Sequence, residues 1–226
     1  MRARRISACM ALAGLLLAGC SAGRRAPSRL VIGVGRSLIL GPANPVWMQR
    51  NANTWETLTE LDGSLTPRPA LAESWEVSPD GRRWTLRLRA GVLFHNGDRL
   101  SPALVAANIR RLKQHPELDY YGTFPHLSSV EPAGDRTVVL EFSKPLVDLP
   151  NKLGHYFAGI FSPAAFGEDG RLSRPVGSGP YVFAGSRTGE YELVRAFENY
   201  HGGRPFFDEV EFRIITDPVV RIMSLI

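Results

Sequence analysis

PALAESWEVSPDGRRWTLRLRAGVLFHNGDRL, residues 69–100, is the stretch around which the chain is organised. Glu73 to Val77 and Trp84 to Arg89 each alternate apolar and polar side chains, the period of a strand with one face in a core. Ser78-Pro79-Asp80-Gly81 separates them and combines fixed φ, side-chain capping and tolerance of positive φ, so the two stretches are predicted to form a hairpin. Trp84, Leu86 and Leu88 fall on the dry face with Trp75 as a packing partner, while Arg83, Thr85, Arg87 and Arg89 fall on the wet face. These four apolar residues are expected to be structural.

Working outward, Asn96-Gly97 marks a further turn. Ser101 then supplies an N-cap and Pro102 a first helical residue whose missing N–H costs nothing there. Val105, Ile109 and Leu112 form the predicted buried stripe of a helix ending before Pro116. Arg110, Arg111 and Lys113 are read as its solvated side. Leu127 to Val130 and Thr137 to Phe142 predict a second hairpin, Leu146 to Phe157 a helix, and Ser162-Pro163 a short turn. On the N-terminal side, Leu30 to Val34 reads as a strand. Trp47 to Leu61 reads as a helix with Trp55, Leu58 and Leu61 on one face. Toward the C-terminus, Tyr181 to Phe183, Glu190 to Arg195 and Glu209 to Ile215 read as strands, and Thr216 or Asp217 caps a short apolar helix. Such a helix needs a partner, so a chain continuing past Ile226 is expected.

The 226 residues are 44% hydrophobic and 22% charged, enough for one substantial core or two modest ones. The formal charge of +5 comes from Arg2, Arg4, Arg5, Arg24 and Arg25. The remainder is formally neutral, which leaves no basic stripe for nucleic acid. The start, MRARRISACMALAGLLLAGC, joins a basic segment to an apolar run shorter than the roughly 20 residues of a bilayer-spanning helix. It has the build of an export signal. Leu17-Ala18-Gly19-Cys20 resembles a bacterial lipobox, implying cleavage after residue 19 and a diacylglycerol on Cys20. Residues 20–27 then form a membrane tether. With Cys9 removed and Cys20 blocked, no thiol remains for a disulfide or catalysis.

Candidate ligand-cleft residues are Trp47 and Met48 beside a Gly/Pro break, His155 and Tyr156, and Gly179 and Tyr181. The last two belong to Arg174 to Tyr181, a loop with two glycines between prolines. That loop lacks the Lys-Ser/Thr end of a phosphate-binding loop. Ser178 lacks the Gly-x-Ser-x-Gly spacing and an ordered acid–histidine partner, so no enzyme is expected. His95, His115, His126, His155 and His201 are scattered without metal-ligand spacing, and each reads as a surface or turn residue; no metal or other cofactor is expected.

Residues 69–100, Pro175-Val176-Gly177-Ser178-Gly179-Pro180-Tyr181 and ENYHGGRPFFDEVEFRIITDP at 198–218 together resemble the solute-binding proteins of the peptide/nickel ABC-importer family. His201 stands where tryptophan is common. The resemblance implies an α/β fold of the class II periplasmic-binding-protein type. It has two lobes, an α+β subdomain inserted in the first and the second missing from this chain. By resemblance, residues 28–61 and 178–226 are parts of the first lobe, 62–177 is the insertion, and residues 1–19 are the signal. The implied function is lipid-anchored, extracytoplasmic capture of a peptide or related small solute for delivery to ABC permease subunits. The alternative is a truncated exported interaction fragment that retains no solute.

Overall fold

The computed structural model describes residues 28–36, 53–119, 121–168, 172–174 and 176–224. The expected leader, tether and Cys20, together with Trp47 and Met48, lie outside the described residues. Two four-stranded sheets dominate the remainder. The first contains β1 (Arg29–Val34), β12 (Glu209–Ile214), β11 (Tyr191–Ala196) and β10 (Tyr181–Arg187), in that spatial order. β1 lies parallel to β12, with Arg29 opposite Glu209 and Val34 opposite Ile214, while the other pairs are antiparallel. Strands from near the two ends of the described chain therefore meet in one sheet, and the described residues between Arg36 and Val176 lie outside it.

The excursion builds the second sheet from β5 (Ala72–Val77), β6 (Arg83–Leu88), β8 (Thr137–Phe142) and β7 (Leu127–Ala133), all antiparallel. The β5–β6 hairpin matches its sequence pattern. Gly81 adopts a φ of 69°, and Arg83 N–H donates to Ser78 Oγ at 2.9 Å across the turn. Trp84, Leu86 and Leu88 are buried, and Trp75 is half-buried against the same core. On the wet face Arg83 pairs with Glu141 and Arg87 with Glu73. Helix α1 (Pro102–Gln114) covers the dry face with Val105, Ile109 and Leu112. The Ser101 hydroxyl caps it by accepting from Leu104 N–H at 3.2 Å. Burying each such side chain contributes about 1.5–3 kcal/mol, so this cluster is the principal source of the sheet's stability.

Three expectations are corrected. Residues 53–61 form no helix: β2 (Glu56–Thr57) pairs with β9 (Gly159–Ile160), and β3 (Thr59–Leu61) pairs with β4 (Pro67–Pro69). Trp55 and Leu58 are buried as expected, but in different clusters. Arg111 is not a solvated residue: its guanidinium lies 4.5 Å from the Phe166 ring centre, where burial lowers its pKa. The stretch 146–157 is helical only at α2 (Leu149–Leu153), followed by a single 3-10 turn at Tyr156–Ala158. The described chain ends in α3 (Pro218–Met223), capped by the Asp217 carboxylate, which accepts from Val219 and Val220 N–H.

Candidate functional site

The segments joining the two sheets cross at a seam made by residues 53–57 and 176–181. Gly177 and Gly179 are buried with their Cα atoms pressed on the backbone of Asn53, Thr54 and Trp55, where any Cβ would collide. Gly179 N–H donates to Thr54 O at 3.3 Å, and Tyr181 N–H to Asn53 O at 3.2 Å. This close approach is why the loop carries glycine at those two positions. His95, from the turn after the second sheet's hairpin, adds a third strand of contact. Its N–H donates to Gly177 O at 2.9 Å, and its Nε2 lies 3.0 Å from Gly179 O.

Glu56 occupies the centre of the seam. Its carboxylate accepts from Ser178 Oγ at 2.9 Å and Tyr200 OH at 3.3 Å, and His201 Nε2 lies 2.9 and 3.0 Å from its two oxygens. The Glu56 and His201 side chains are only 15% and 12% exposed, so this contact is screened less than a surface pair. Desolvation, followed by the charge and hydrogen bond of Glu56, pushes the Tyr200 phenol up to about 12. Tyr200 therefore remains a neutral donor throughout the physiological range. A pocket of about 310 Å³ opens beside this cluster, lined by Asn53, Glu56, Thr57, Glu60, Pro180 and Tyr200. It offers carboxylate acceptors and a phenol in a concave setting drawn from separate parts of the chain.

The expected cleft residues divide between different places. Gly179 belongs to the seam. Tyr181 opens β10 and packs its ring on the cluster of Val194, Val210 and Phe212. His155 and Tyr156 lie just before β9, the partner of β2. The His155 ring stacks on Tyr121 with centroids 4.3 Å apart. Tyr156 packs where the main core meets the Trp55–Phe161 cluster. The sequence does not pair Glu56 with His201: the acid stands alone between Trp55 and Thr57, and His201 lies in a turn that reads as surface. Buried Asn108 also escaped notice: it bonds the Phe161 backbone at both N–H and C=O, joining α1 to the segment after β9.

Ser178 is fully buried and donates to a carboxylate rather than to a histidine, so it is not arranged as a nucleophile. No group of three or more metal-ligating side chains converges among the described residues. No described helix is long and apolar enough to cross a membrane.

The two sheets thus meet at a seam that carries a polar pocket. Residues 66–226 match the family model for bacterial extracellular solute-binding proteins, family 5 middle. The chain belongs to that family. It is 30% identical over 175 residues to the glutathione-binding protein GsiB of Pectobacterium atrosepticum, covering 76% of this chain and 34% of the relative. It is 34% identical over 188 residues to the heme-binding protein A of Haemophilus influenzae, covering 72% and 34%. Among solved structures, NikA from Brucella suis in complex with Fe(III)-EDTA superposes with a TM-score of 0.78 at 27% identity, covering 87% of this chain and 41% of that one. The fold is thus that of the two-lobe periplasmic binding proteins, and these relatives are binding proteins rather than enzymes. The chain spans about a third of the curated relatives it matches.

The seam predicts a sharp contrast between glycines. Gly179→Ala places a methyl against Asn53 O and is expected to lower stability by about 3 kcal/mol or more. Gly63→Ala, with nothing within 4 Å and no positive φ, is expected to change it by less than about 0.5 kcal/mol. Urea unfolding of both variants checks this, and equal, small effects would contradict the close-packed seam.

Proposed function

We propose that this chain provides one wall of the solute cleft of an ABC importer's extracytoplasmic binding protein. In this reading residues 28–61 and 178–226 belong to the first lobe, and 62–177 form a subdomain inserted in it. The solute is a short peptide or a small molecule of comparable polarity, delivered to permease subunits in the membrane. The observation that carries the reading is the pocket beside Glu56, where separated segments of a family 5 chain converge on one polar concavity. Glutathione, named for one relative, is itself a peptide. Cys20 holds the protein at the membrane through a diacylglycerol after removal of residues 1–19.

The second reading is an exported interaction fragment that does not retain solute. It draws on α3, whose Val219, Val220, Ile222 and Met223 side chains are all more than half exposed.

Two measurements separate these readings and test the anchor. A panel of di- to tetrapeptides should include members that raise the thermal midpoint, since a ligand at 100 times its Kd stabilises the native state by about 2.7 kcal/mol. No shift across the panel would contradict solute capture by this chain. Mass spectrometry of the membrane-associated protein should find an N-terminal Cys20 carrying diacylglycerol. An intact leader with an unmodified Cys20 would remove the anchor.

A further inference from the structure

The segment leading into β9 and the turn that contains Tyr121 bring three aromatic rings together. Tyr121 stacks on His155 with centroids 4.3 Å apart and planes 29° from parallel. Phe157 packs against both, its centroid 5.4 Å from that of Tyr121 and 6.3 Å from that of His155. Phe157 is only 2% exposed and belongs to the main core, so the inner member of the cluster is fixed by packing. Tyr121 is the outer member: it is 46% exposed although both His155 and Phe157 lie against it.

Exposure here does not come with slack. The Asp119 carboxylate accepts from Thr123 N–H and Phe124 N–H, both at 2.8 Å. Gly122 closes the turn with a φ of 56° and an N–H bond to Asp119 O at 3.0 Å. Phe124 is buried in the core immediately after that turn. From the other side, Lys152 Nζ donates to Tyr121 O at 3.1 Å, tying the tyrosine to α2. An aromatic ring held rigidly at a surface has little conformational entropy left to lose, which is the property of a binding anchor. The ring cluster and the pocket are also connected through the chain. His155 lies four residues before Gly159 of β9, and β9 pairs directly with the Glu56 strand.

We propose that Tyr121 is a stacking platform for a planar aromatic group of the captured solute, with His155 and Phe157 setting its orientation. This rests on the solute-binding reading above and gives that reading a substrate class: short peptides bearing an aromatic side chain. The tyrosine face is electron-rich, and an offset or tilted aromatic partner gains an interaction beyond the area it buries. An aliphatic side chain of similar volume gains only the area.

The test compares Ala-Phe-Ala with Ala-Leu-Ala by calorimetric titration of the wild-type protein, Tyr121→Phe and Tyr121→Ala. Wild type and Tyr121→Phe should prefer the phenylalanyl peptide by about twofold to tenfold. Its ring protons should move upfield on binding to either protein. Tyr121→Ala should still unfold in one cooperative thermal transition while losing both the preference and the upfield movement. Equal affinity for the two peptides, or a preference that survives in Tyr121→Ala, overturns the platform and leaves solute capture standing. Binding of neither peptide to any of the three proteins overturns the platform as well, and the panel titration then decides the fate of the wider reading.

Discussion

One carboxylate, that of Glu56, holds together parts of the chain that are far apart in sequence. Ser178 approaches it from the glycine loop, and Tyr200 and His201 from the turn that follows β11. A mostly buried carboxylate without such donors would be costly, and a buried hydroxyl or imidazole N–H without an acceptor nearly as much so. The cluster is therefore stable only when all its members are present. That mutual dependence ties the loop before β10 and the turn before β12 to β2, and with them one wall of the pocket. Glu56 is both a wall of the concavity and the reason the wall stays in place.

The topology explains why so much rests on a small region. Because β1 pairs with β12, the first sheet is closed only after the chain has made its long excursion through the second. The excursion leaves and returns through adjacent strips of backbone, and the absence of side chains at Gly177 and Gly179 lets those strips touch. His95 and Asn108 bind the second sheet and its helix to the same region through backbone atoms of Gly177, Gly179 and Phe161. The pocket opens on the same seam, lined by Asn53, Glu56 and Pro180.

Elements built from local signals were legible in the sequence. The β5–β6 hairpin declared itself through alternation and a Ser-Pro-Asp-Gly turn, and α1 through Ser101-Pro102 and the Val105, Ile109 and Leu112 stripe. Where long-range pairing decided the outcome, the local pattern misled. Trp55, Leu58 and Leu61 have helical spacing, yet Glu56 and Thr57 are claimed by β9, about a hundred residues later, and Thr59 to Leu61 by β4. Strands of two or three residues are too short to show a period. Arg111 looked solvated because its partner, the Phe166 ring, comes from a distant turn. The same limit hid the pairing of Glu56 with His201 and of Tyr121 with His155: His155 was legible as a cleft candidate, but only the fold brings each pair together.

The central claim is that Glu56 and His201 act as a unit across the seam. A double-mutant cycle with Glu56→Ala and His201→Ala, read by urea unfolding, measures that coupling directly. A coupling of about 1 kcal/mol or more is expected, as found for neighbours sharing a hydrogen-bond network. Additivity within about 0.3 kcal/mol, the behaviour of independent sites, would contradict it.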